Sequence, residues 1–140
     1  MDEMKSLAAE YKQKLQDDSA NNPIKEFGPK AWASFRQLMK SKSEQFNAEM
    51  QSEVLTWLSP YADRIVLTRD SDGRSLVGIY DEAASTVSFV CEGASIDLTY
   101  SLTMRSGNAV FMYLHPTNGT QLPALAEDIA SGLMRDFLLK

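Results

Sequence analysis

The chain has 140 residues, of which 44% are apolar and 24% charged, and its formal net charge is −5. These values fit one globular domain of ordinary composition and exclude a disordered tail, a collagenous or low-complexity chain and a membrane span. An acidic balance is repelled by phosphate backbones and anionic lipid unless a local basic patch overrides it.

The elements follow in chain order. Met4, Leu7, Tyr11 and Leu15 recur at helical spacing, so a first helix is predicted over about 2–17. Asp17-Asp18-Ser19-Ala20-Asn21-Asn22-Pro23 is its expected stop. A second helix is expected to start at Gly28-Pro29, with proline in the first turn, and to run to Leu58. Trp32, Phe35, Met39, Phe46, Met50, Val54 and Trp57 lie on one line at period 3.6. Ser43 interrupts that line, and Ser41 and Glu44 have capping-box spacing. Residues 29–58 therefore read as one long helix, bent or straight, in preference to two helices meeting near Ser41–Ser43.

Five strands follow, at about 64–69, 74–80, 85–92, 95–105 and 109–114. Asp70-Ser71-Asp72-Gly73, Asp81–Ala84 and Ser106-Gly107-Asn108 supply turns. Connections this short pair neighbours antiparallel. A last helix is expected from Pro123, with Leu125, Ile129, Leu133 and Phe137 on one face. The fold class is α+β: N-terminal helices (1–60), a five-stranded antiparallel β-meander (63–115), and a C-terminal helix (121–140) packed on the sheet, in a single domain.

In the fourth strand Ile96, Leu98, Tyr100, Leu102 and Met104 alternate with Asp97, Thr99, Ser101, Thr103 and Arg105, so one face is core and one is wet. The fifth strand, Ala109–Leu114, is apolar on both faces. The second is so in part, since Leu76 and Tyr80 oppose Val77 and Ile79. Such strands need a cover on each side. The N-terminal helices are the favoured cover, because their apolar stripes must be buried somewhere. If a partner supplies it instead, Leu76, Tyr80, Phe111 and Tyr113 are the candidate partner-binding residues, for a homodimer or a separate protein. A pocket for a small apolar ligand between sheet and last helix would be lined by Tyr100, Leu102, Met104, Ile129 and Phe137.

The chemistry-bearing groups are sparse. His115 precedes Pro116 with no partner legible in the sequence, and Cys91 lies on the inward face of its strand as a small apolar residue. One histidine and one cysteine do not make a metal set. Asp70-Ser71-Asp72-Gly73 lacks the remaining calcium-loop ligands, Ile79 standing where the last glutamate belongs. Glu127 and Asp128 suit the first turn of a helix better than paired acid–base work. Residues 25–42 carry Lys25, Lys30, Arg36, Lys40 and Lys42 against Glu26, but the charges spread around the helix, so nucleic acid is not expected. Met1-Asp2-Glu3-Met4-Lys5 has no signal-peptide pattern, which places the chain in the cytoplasm. The expected function is a non-enzymatic protein-interaction module, a homodimer among its forms, with no catalytic, metal or cofactor site. The alternatives are a small apolar-ligand binder and an enzyme whose groups meet only in space, drawn from the wet face of the fourth strand.

Overall fold

The computed structural model describes residues 2–21 and 23–139, with the side chains of 2–14 and 23–139. In chain order these form α1 (Glu3–Asn21), α2 (Ile24–Met50), β1 (Leu55–Tyr61), β2 (Arg64–Arg69), β3 (Ser75–Asp81), β4 (Thr86–Cys91), β5 (Ile96–Arg105), β6 (Asn108–Leu114), β7 (Gln121–Ala124) and α3 (Ala126–Leu139). A 3-10 turn at Glu92–Ala94 joins β4 to β5. The class is α+β, and α3 packs against the sheet. The sheet has seven strands in sequential antiparallel order, where the sequence pattern yields five.

Both extra strands come from segments assigned to helices. α2 begins at Ile24, ahead of Gly28-Pro29, and runs unbroken through Ser41–Ser43 to Met50. Ser43 is buried, and its hydroxyl donates to the Met39 carbonyl at 2.8 Å. That back-bond satisfies a polar group on the apolar line. Gln51 then turns left-handed, with φ 55°, and β1 follows. The side chain of Asn47 holds this exit. Its Oδ1 accepts the N–H groups of Val54 and Leu55, both at 3.0 Å, and its Nδ2 donates to the Leu55 carbonyl at 2.9 Å. At the other end, Pro123 lies in β7 rather than in the first turn of α3. β7 pairs only with β6, and an edge strand tolerates a residue without an N–H.

One face of the sheet packs on α2 and α3 in a contiguous core. Trp32, Phe35 and Met39 from α2 and Ile129, Leu133 and Phe137 from α3 meet Ile65, Leu67, Leu76, Val87, Phe89, Tyr100, Leu102 and Phe111. Phe35 is the hub, with ring centroids 5.3 Å from Phe89 and 5.6 Å from Phe111. Each such side chain contributes roughly 1.5–3 kcal/mol when taken fully from water. Two hydrogen bonds tie α2 to the β1–β2 turn: the Trp32 indole and Arg36 Nη1 both donate to the Ala62 carbonyl, at 2.8 and 2.7 Å.

Candidate interaction surfaces

Leu76, Tyr80 and Phe111 are buried in the core on the helix-facing side, and Tyr113 is half-buried against it. Tyr80 stacks on Trp32 at 5.9 Å. The structure therefore brings these residues together under α2 rather than on an open face. Tyr100, Leu102, Ile129 and Phe137 fill the same core, with Tyr100 edge-on to Phe89 at 6.0 Å. Met104 stands apart and is half-buried. Burial raises the phenol pKa of Tyr100, and of Tyr80, above the usual value.

The opposite face of the sheet carries no helix of that core. In register across β1–β4, Leu58, Val66, Val77 and Val90 form an apolar row, with Leu58 and Val90 exposed. On β5 this face presents Asp97, Thr103 and Arg105 to solvent. Thr99 Oγ1 shares a 3.4 Å hydrogen bond with the Ser88 hydroxyl. Ser101 lies beside the buried Met112. No nucleophile–base pair links these groups among the described hydrogen bonds.

The remaining sequence candidates have structural partners. His115 Nδ1 accepts the N–H groups of Thr117 and Asn118, at 3.2 and 3.4 Å, and shapes the β6–β7 turn. Cys91 is buried in the core. Lys30 pairs with Glu26 at 3.7 Å and Lys42 with Glu127 at 2.5 Å. Arg36 serves the β1–β2 turn, so the basic run over 25–42 is divided among separate contacts. Among the described residues no three His, Cys, Asp or Glu side chains converge as metal ligands. No described helix is long and apolar enough to cross a membrane.

Two features stand outside these expectations. The first is α1. Every described side chain from Asp2 to Lys14 is exposed, including Met4 at 72%, Leu7 at 55% and Tyr11 at 60%. The expected burial of N-terminal apolar stripes holds for α2 and fails for Met4, Leu7 and Tyr11 of α1, while the side chain of Leu15 lies outside the described residues. The second is Arg69, which follows Ile65 and Leu67 on the inward face of β2 and is 8% exposed. Its Nε and Nη2 grip the Asp72 carboxylate at 2.9 and 2.6 Å. Its Nη1 donates to the Phe137 carbonyl, and the guanidinium lies over the Phe137 ring at 5.4 Å. A cation on the last carbonyls of a helix is favourable. In return the Arg69 guanidinium, through its paired hydrogen bonds, holds the Asp72 carboxyl well below the usual range. The signal for Arg69 was present in the sequence as a charge at an inward strand position.

Comparison of the chain with protein-family models, with curated proteins and with solved structures finds no match.

Proposed function

We propose that this chain is a non-catalytic interaction module that pairs with a second copy of itself along α1. The observation that carries the reading is the exposed stripe of Met4, Leu7 and Tyr11 on a helix of 19 residues, about 28 Å long. Most helical stability in proteins comes from packing an amphipathic face, and Met4, Leu7 and Tyr11 are left exposed by the described residues of the chain.

Charge favours a like partner. Residues 2–14 carry Asp2, Glu3 and Glu10 against Lys5, Lys12 and Lys14, so the segment is neutral while the rest of the chain holds the net −5. At roughly 100° per residue, Lys5 and Lys12 lie on one flank of the stripe and Glu3 and Glu10 on the other. In a parallel two-fold pair the basic flank of one copy meets the acidic flank of its partner. This is the arrangement that supports register in paired helices.

The test is the mass of the intact protein by native mass spectrometry, beside a Leu7→Lys variant. The expected result is a dimer for the parent chain and the 15.6 kDa monomer for the variant, with the same melting transition in the sheet and core. A parent chain that stays monomeric at high concentration, or a dimer indifferent to Leu7→Lys, refutes pairing along α1.

A further inference from the structure

A trough opens where the C-terminal ends of α2 and α3 meet the β2–β3 turn, with a volume of about 580 Å³. Phe46 and Met50 form one wall, one helical turn apart on α2. Arg135, Leu138 and Leu139 form the other, three and four residues apart on α3. Met50 and Leu139, at 53% and 70% exposed, stand at its rim. Methionine is an adaptable lining for a flexible apolar chain. The volume lies within the roughly 300–1,000 Å³ typical of small-molecule sites.

Arg69 contributes a buried charge to the lining. Its side chain is nine-tenths buried, and three of its N–H groups are engaged by Asp72 and the Phe137 carbonyl. A guanidinium has five N–H donors. One on each terminal nitrogen therefore has no acceptor among the described residues. Arg135 adds a second, exposed guanidinium. With Asp72 also at the margin, the lining carries two positive charges against one negative, in a chain whose total is −5.

We infer that this trough binds an amphipathic carboxylate of the fatty-acid class, its alkyl chain between α2 and α3 and its head group at Arg69 and Arg135. Apolar side chains from α2 and α3 and two guanidiniums in one lining match a single-chain anion. A neutral apolar ligand would leave the spare N–H groups of Arg69 unsatisfied, and a polyanion would meet Asp72. A carboxylate offers acceptor oxygens in the fork geometry that guanidinium prefers. The site is remote in sequence from the α1 stripe and does not depend on pairing between copies.

The test is calorimetric titration of the full chain with dodecanoate below its micellar concentration, with dodecanol as the uncharged comparison. Binding is expected to saturate at one dodecanoate per chain, and dodecanol to bind at least tenfold more weakly. Arg135→Glu and Met50→Glu change exposed positions and leave the fold intact. Each is expected to weaken dodecanoate about tenfold, equivalent to about 1.4 kcal/mol. A melting curve of each variant confirms that the loss is local. The inference is overturned if no saturable binding occurs, if dodecanol binds as well as dodecanoate, or if both variants bind like the parent chain.

Discussion

Gly78 and Gly132 allow one chemical change to be tested in two opposite environments. Gly78 lies mid-way along β3 on the core face, between Ile65 of β2 and Phe89 of β4 in register. A methyl placed there would sit 2.8 Å from Ile65 Cγ1 and 3.0 Å from Phe89 Cε1. Both neighbours are fully buried, so neither can swing away into solvent. Overpacking of this kind costs about 1–3 kcal/mol. The restriction of the unfolded chain by alanine offsets about 0.4–1 kcal/mol. Gly78→Ala is thus expected to destabilise by about 0.5–2 kcal/mol. At about 4 °C per kcal/mol for a domain of this size, that lowers Tm by about 2–8 °C. Gly132, inside α3, has no atom within 4 Å of the same methyl. Gly132→Ala there gains about 0.8–1 kcal/mol of helix propensity and raises Tm by about 3–4 °C. Thermal unfolding followed by circular dichroism reads both. A Gly78→Ala protein as stable as the parent chain refutes the packing of β3 against Ile65 and Phe89. A rise in both variants would show that only unfolded-chain entropy is being read.

Three further outcomes follow from the same contacts. Asn47→Ala removes three hydrogen bonds that hold β1 to the end of α2, and is expected to cost about 1–3 kcal/mol. Urea unfolding should show a lower midpoint with an unchanged slope. The hydrogen bonds from Arg69 hold the Asp72 carboxyl well below the ordinary carboxylate value of 3.8, so its stabilising pairing with Arg69 is complete above that pH and is lost as pH falls through the folded-state value. The Tm gap between the parent chain and Asp72→Asn is therefore expected at neutral pH and should close below pH 3.8; a gap constant with pH refutes the ionic origin. Tyr80 and Tyr100 are raised above 10.0 by burial, so the folded state favours the neutral phenol. Stability is fully present below pH 10 and falls as pH rises beyond it. Ultraviolet titration should show two tyrosines ionising late or only on unfolding.

The strands β2–β6 were legible because alternation and turn residues agree. Ile96, Leu98, Tyr100 and Leu102 alternate with polar neighbours, and Gly73 and Gly107 take the positive φ their turns require. β1 was not legible for a physical reason. Val54 and Trp57 continue the helical spacing of Met50, and α2 ends without the glycine that usually marks a left-handed stop. Gln51 supplies that conformation instead, and Asn47 satisfies the exposed backbone groups. β7 was hidden by Pro123, which suits a first helical turn and an edge strand equally well. Deciding between them needs to know that β6 has a free edge, a tertiary fact absent from local sequence.

Of the candidate surfaces, inward and outward positions were legible and their partners were not. Phe111 and Tyr100 read as apolar positions awaiting a cover, and α2 and α3 are that cover. Arg69 reads as a misplaced charge until the end of α3 arrives over it. α1 presents the converse case. The spacing of Met4, Leu7 and Tyr11 is the same kind of stripe as Trp32, Phe35 and Met39, yet one is open to water and the other is sealed in the core. Periodicity reports that a helix has a side whose burial is favourable. It does not report whether the burying surface belongs to the same molecule. In this chain α2 and α3 occupy the core face of the sheet, while Met4, Leu7 and Tyr11 of α1 stay in water, so the burial that would favour this stripe has to come from another surface.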